Sequence, residues 1–345
     1  MAALVELRGV VKHFPVSRSL GEIVRGAHPV VRALEGVSFD IGAGDAIAIV
    51  GESGCGKTMT ALSIVGLLRH SNARTTSGEV LFGGRNLLAL DRRELEDIRG
   101  HDIAMIFQDP MTSLNPVKTV GDQITETLRR HSKLGRREAR ARSVELLAEV
   151  GIARPAERSG AFPHEFSGGM RQRVMIAIAI SCNPQILIAD EPTTALDVTV
   201  QARILNLLHR LREQHGMGLM LITHDMGIVA DVADEALVMY AGQVVEQAGV
   251  YELFDHPEHP YTSALLAASP SLAGGEARGD RLAAIGGMPP SLIHPPSGCR
   301  FAPRCPYAQH PDGCADGPVP LAELRPGHLV RTRHPASLLT AEGAR

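Results

Sequence analysis

An apolar run, Ala46-Ile-Ala-Ile-Val50, leads straight into Gly51-Glu-Ser-Gly-Cys-Gly-Lys57-Thr58, and a helix-like segment follows from Lys57 to about Leu68. That order of strand, loop and helix around G-x-x-x-x-G-K-[ST] constrains the fold more than any other stretch of the chain. Gly51, Gly54 and Gly56 let the backbone curl until successive N–H groups point at one anion, and the positive end of the following helix adds to the field. Lys57 is placed to reach the β/γ-phosphates of a nucleotide, and the Thr58 hydroxyl to ligate Mg²⁺. Glu52, Ser53 and Cys55 complete the cradle. A plain Gly-rich turn would need neither the Lys-Thr pair nor a buried strand ahead of it.

The 345 residues suffice for one large domain with an appendage, or for two ordinary domains. A net charge of −3 gives no support to a nucleic-acid partner held by a strong positive field. With no Trp and four Tyr, stacking platforms for single strands or sugars are not expected. No run of eighteen apolar residues occurs, and Met1-Ala-Ala-Leu-Val-Glu6 lacks a charged segment leading into an apolar one. The expectation is therefore a chain that neither is secreted nor crosses a membrane. Five cysteines beside a Mg-nucleotide loop then belong in a reducing cytosol, where disulfides rarely persist.

Leu4–Phe14 reads as a strand, followed by a surface loop from Pro15 to Pro29 and a second strand over 33–41. Further strands are expected at Gly78–Phe82 and His101–Phe107, with a short charged helix at Asp91–Ile98. Gln108 then opens a turn-rich segment to Pro116. From Val120 to about Gly151 the pattern is helical, and Arg129, Arg130, Lys133, Arg136, Arg137, Arg140 and Arg142 cluster there. A solvated helical face explains that cluster better than a phosphate-binding surface.

Phe166-Ser-Gly-Gly-Met-Arg-Gln-Arg173 opens another helix, with Ser167 a natural N-cap and Gly168 and Gly169 leaving its first N–H groups bare. Ile186-Leu-Ile-Ala-Asp190-Glu191 reads as a buried parallel strand with two acids at its C-terminal end. Helix Val198–Gln214, strand Gly218–Thr223, helix Met226–Ala233 and strand Glu235–Met239 continue an α/β alternation. After residue 256 the composition changes: fourteen of the 22 prolines lie there, so an irregular appendage is expected.

Nucleotide hydrolysis needs a phosphate cradle, a metal opposite it, an oriented water and a γ-phosphate sensor. Asp190 is the candidate partner of Thr58 on Mg²⁺, and Glu191 the candidate to orient or deprotonate water, a role worth roughly 10²–10⁴-fold in rate. Paired acids at a strand end also serve as helix N-caps, and alone they do not decide. Gln108 and His224 each follow a strand that should end on the same sheet edge. Gln108 suits a bridge between Mg²⁺ and water, and His224 suits the γ-phosphate.

Together these residues resemble an ATP-binding cassette (ABC) ATPase over roughly residues 4–255. The Ser-Gly-Gly-x-x-x-Arg element, 23 residues before Asp190, separates that family from other P-loop enzymes. The resemblance implies an α/β P-loop NTPase cassette (1–255) with a parallel core sheet, an antiparallel β subdomain and a helical subdomain at about 110–182, followed by the extension at 256–345. It implies two cassettes head to tail, each nucleotide lying between one phosphate loop and the partner's Ser167-Gly168-Gly169. Gln172 and Asp197 join the nucleotide-contacting set. Phe14 matches the aromatic that stacks on adenine, with core packing as its competing role.

Phe107-Gln-Asp-Pro-Met-Thr-Ser-Leu-Asn-Pro116, Tyr240-Ala-Gly-Gln-Val-Val-Glu246 and His256-Pro-Glu-His-Pro-Tyr-Thr262 are similar to the ATPase subunits of dipeptide, oligopeptide and nickel importers. That likeness implies a peripheral subunit on the cytoplasmic face of the inner membrane, paired with a second ATPase. It also implies two permeases fed by an extracytoplasmic solute-binding protein. The segment after Gln108 would meet the permease coupling helix. Nickel, glutathione or another small solute is the alternative cargo. A soluble cassette ATPase acting on nucleic acid or the ribosome is the alternative of another class, but the chain has no second cassette and no strong positive field.

Cys299, Cys305 and Cys314 stand in the Pro-rich tail, and members of the resembled group often carry four cysteines there around a [4Fe–4S] cluster. Here Thr332 takes the fourth position. Either a cluster or Zn²⁺ is held by the three thiols, with His328, His334 or a non-protein ligand fourth, or the thiols stay reduced and unliganded. Cys182 is expected in the core.

Overall fold

Strands form where apolar and β-branched residues run together. In chain order they are β1 (Ala3–Pro15), β2 (Val30–Gly42), β3 (Ala46–Val50), β4 (Arg74–Phe82), β5 (Arg85–Asn86) and β6 (Ile103–Ile106). Six more follow: β7 (Ile186–Asp190), β8 (Gly218–Thr223), β9 (Glu235–Tyr240), β10 (Gln243–Gly249), β11 (Ala322–Arg325) and β12 (His328–Val330). The computed structural model describes residues 3–16, 29–70, 73–269, 284–308, 314 and 317–336. Most of the loop expected between Pro15 and Pro29 lies outside the described residues.

The chain divides into two compact units, the first built mainly from Ile41–Ala46 and Ala89–Ile222. In it β6, β7 and β8 run parallel, with Ile103 opposite Ile186 and Ile186 opposite Gly218. Every residue of β7 is buried, as expected of a parallel strand covered on both faces. Gly218 is required at its position, because a Cβ there would lie 2.6 Å from the Gly42 carbonyl oxygen. The parallel register carries the C-terminal ends of β6 and β7 to one edge, and Gln108 and Glu191 with them.

The helical pattern expected from Val120 to about Gly151 is two helices, Val120–His131 and Arg136–Glu149. Ser132 is extended, and the Glu138 carboxylate accepts the Gly135 N–H at 2.9 Å to begin the second. The basic residues here are mostly exposed, and Arg142 pairs with Glu145 at 3.0 Å, which supports a solvated face.

The second unit takes in Val5–Asp40, Ile47–Leu88 and Thr223–Arg345. Its antiparallel sheet has the order β2-β1-β4-β5, with Val5 opposite Phe82. Elsewhere in the unit β9 pairs in parallel with the wholly buried β3 and antiparallel with β10. The helix after the phosphate loop is shorter than expected, Lys57–Ile64. Gly66, at φ +65, ends it, and a 3₁₀ turn covers Leu67–His70.

Not all of the tail is irregular. β12 pairs antiparallel with β10, Glu246 opposite Val330, and β11 forms a hairpin on β12. Phe301 is buried edge-on against Tyr240 and tilted against Tyr261, ring centres 5.3 Å apart in both pairs. Glu246, fully buried, accepts the N–H groups of Glu258 at 2.7 Å and His259 at 2.9 Å, and pairs with His328 Nε2 at 2.7 Å. Buried carboxylates persist only when so satisfied. His328→Gln is therefore expected to cost about 3 kcal/mol of stability in denaturant unfolding.

That ion pair also has a pH signature. The hydrogen bond to Glu246 raises the His328 pKa above its ordinary value. Its contribution is thus complete below the unfolded-state pKa of about 6.5 and is lost as pH rises through the higher folded-state value. The wild-type unfolding midpoint should fall as pH rises above about 6.5 and through that folded-state value, and the fall should be smaller in H328Q.

Candidate active site

In the second unit the phosphate loop is shaped by close backbone approach. Gly51 has φ +152, and a Cβ there would stand 2.2 Å from the Met239 carbonyl oxygen. Gly56, at φ +111, would meet the Ala33 carbonyl oxygen at 2.8 Å. Lys57 is buried, and its ammonium donates to the Gly51 and Glu52 carbonyls at 2.7 and 3.2 Å, so the loop closes around its own cation. Burial pushes the Cys55 thiol pKa up, which keeps it protonated. Tyr261, from the helix Pro260–Ala267, accepts the Glu52 N–H at 2.9 Å through its hydroxyl.

His224 follows β8 and is exposed. Asp225 beside it caps the helix Met226–Val232, accepting the Gly227 N–H at 2.8 Å. Phe14 is half-buried near the end of β1.

In the first unit the acids stand where the parallel sheet ends. Asp190 is buried at the last position of β7. Glu191 has a left-handed backbone, φ +44, which a non-glycine residue holds only at a cost of order 1–3 kcal/mol. Its carboxylate accepts the Gln108 amide at 2.8 Å and the Thr194 hydroxyl at 2.9 Å. Two of the three expected catalytic residues, Gln108 and Glu191, are thus in direct contact. Thr194 was not expected; an alcohol three residues beyond an acid at a strand end is the signal that could have pointed to it.

Ser167 caps the helix Gly168–Ile180, accepting the Met170 N–H at 3.4 Å, and Ser167 and Gly168 are exposed. A Cβ on Gly169 would lie 2.5 Å from Val200. Asp197 spends its carboxylate on the helix Val198–His215, accepting the Val200 N–H at 2.9 Å. Gln172 departs from expectation: only 2% exposed on the buried side of its helix, it is not placed to touch a nucleotide.

The profile of the ABC transporter family matches residues 34–194, and that of the oligopeptide/dipeptide transporter C-terminal region matches residues 245–314. A probable peptide ABC transporter ATP-binding protein of Sinorhizobium fredii is 50% identical over 327 residues, 95% of this chain and 93% of that relative. This chain belongs to the ABC transporter ATPases. The dipeptide transport ATP-binding protein DppD of Bacillus subtilis is 52% identical over 80% of this chain and 82% of its own length. Among solved structures, a dimeric ATP-binding cassette in a post-hydrolysis state with ADP and Pi matches with a TM-score of 0.60 and 29% identity, over 71% of this chain and 98% of that one.

The ABC ATPase family implies ATP and Mg²⁺, and the phosphate loop fits them. Gly51 and Gly56 leave a cradle that side chains would fill, and a buried cation sits inside it. Among the described residues no helix is long and apolar enough to cross a membrane.

The tail thiols do not fit a metal. Among the described residues no three His, Cys, Asp or Glu side chains form a ligand set. The Cys299 N–H does meet the Cys314 carbonyl at 2.9 Å. Burial raises the pKa of all three thiols, that of Cys305 to about 11, so in the absence of a metal they rest protonated. His328, expected as a fourth ligand, is committed to Glu246, and the Thr332 hydroxyl donates to the His334 carbonyl at 3.2 Å.

Proposed function

We propose that this chain is the ATP-hydrolysing subunit of an importer of dipeptides or oligopeptides. Lys57 holds the β/γ-phosphates, Thr58, Asp190 and Gln108 serve Mg²⁺, and His224 senses the γ-phosphate. Glu191 orients or deprotonates the attacking water. Ser167, Gly168 and Gly169 complete the site of a second, related ATPase, and Phe14 stacks on adenine. The cassette spans 1–255, with its helical subdomain at about 110–182, and the extension 256–345 is of the peptide-transporter type. The subunit works at the cytoplasmic face of the membrane on two permeases, which an extracytoplasmic solute-binding protein supplies.

The observation that carries this reading is the match of residues 245–314 to the oligopeptide/dipeptide transporter C-terminal region in a chain whose Glu191 is held by Gln108 and Thr194. The structure lends no support to a metal centre in the tail, and none is proposed. Affinity purification from detergent-solubilised membranes, followed by ATPase assays with and without peptides and the binding protein, tests it. Two permeases, a second cassette subunit and peptide-stimulated turnover are expected. Recovery of ribosomes or DNA in place of permeases would overturn it.

A further inference from the structure

Glu52 raises a problem for the phosphate loop. It places a carboxylate, only about a quarter exposed, on a loop that must attract a polyanion. Arg304, from the 3₁₀ turn Ala302–Arg304, answers it. Its two terminal nitrogens donate to the two Glu52 carboxylate oxygens at 2.5 and 2.9 Å, a bidentate pair. The guanidinium is itself held by the carbonyls of Gly286 at 2.8 Å and Ile285 at 3.1 Å and by the Tyr240 hydroxyl at 3.3 Å. It lies over the rings of Tyr240 and Phe301, 5.8 and 5.9 Å from their centres. Its side chain is only 3% exposed, so the geometry is held from every side.

We propose that Arg304 is a positioning residue for nucleotide binding: the tail supplies the counter-charge that neutralises Glu52 and so keeps the phosphate loop attractive to phosphate. Arg304 touches no reacting atom and acts through Glu52. Charge compensation, rather than bulk docking of the tail, is its contribution, because Phe301 and the β10–β12 pairing hold the tail independently of it. The proposal rests on the phosphate loop being the nucleotide site.

The test measures Kd for MgATP and MgADP on the full-length chain. R304Q is expected to weaken both about tenfold, equally, because the β-phosphate is common to them. R304K, which keeps the charge, is expected to stay within about threefold of wild type. Adding E52Q to R304Q removes the uncompensated carboxylate and is expected to recover most of the loss, whereas damage to the tail fold would not be rescued from the loop. E52Q alone leaves the Arg304 cation unneutralised beside the loop and is expected to bind both nucleotides about threefold tighter than wild type, which tests the proposal even where R304Q fails to fold. Unchanged affinity in R304Q, no recovery in the double variant, or any loss of affinity in E52Q would overturn it. A wild-type chain that binds neither nucleotide would instead overturn the nucleotide site itself.

Discussion

Glu191→Gln is expected to retain nucleotide binding while turnover falls roughly 10²–10⁴-fold, the range of a lost general base. The carboxylate is already fixed by the Gln108 amide and the Thr194 hydroxyl, so little ordering remains to be done when water arrives. The glutamine side chain is isosteric, and because both donors meet the same Glu191 oxygen, its carbonyl oxygen can keep both contacts. The remaining difference is chemical: an amide does not take a proton from water. With hydrolysis blocked and binding intact, dimers should accumulate with ATP, visible by size-exclusion chromatography, while phosphate release stops. Turnover within threefold of wild type would remove Glu191 from the role given to it.

Gly51→Ala carries the second large effect. A Cβ there would lie 2.2 Å from the Met239 carbonyl oxygen and 2.9 Å from the Cys55 sulfur, well inside van der Waals contact, and its φ of +152 is one that alanine rarely adopts. The obstacle is backbone, so no rotamer change relieves it. The loop must move, and with it the carbonyl that positions the Lys57 ammonium. MgATP affinity is expected to fall by about a hundredfold or more, as for loss of charge-assisted contacts worth about 3 kcal/mol. Gly44→Ala is the internal comparison. Gly44 also has positive φ, +77, but no atom lies within 4 Å of its added Cβ, so only local strain of about 1 kcal/mol is expected, with affinity unchanged. Calorimetric titration of both variants separates the effects.

Much of this was legible in order along the chain. Ala46–Val50 ahead of three glycines and Lys57 announces a buried strand feeding an anion cradle, because local steric rules govern such a turn. Ser167 caps the helix Gly168–Ile180, and β7 ends on Asp190, where the sequence placed them, since capping and burial are decided within a few residues. The helical pattern expected from Val120 to about Gly151 is there, but it did not disclose the break at Ser132–Gly135 that divides it into two helices.

What lies beyond sequence is whatever depends on partners far along the chain. Nothing local to Arg304 says that it meets Glu52, 252 residues away, nor does His328 disclose Glu246 across 82 residues. β11 and β12 are too short to stand alone and exist as strands because β10 offers an edge. The cysteines show the same limit from the other side. Their spacing suggested a metal, but burial and the placement of neighbouring side chains decide whether thiols become ligands. Sequence alone determined the family and the phosphate-loop motif and nominated Glu191 at the end of β7, because short-range sterics and residue chemistry specify such features. Tertiary structure alone decided that the tail is folded against the phosphate loop, because that contact is a matter of which distant charges share one buried place.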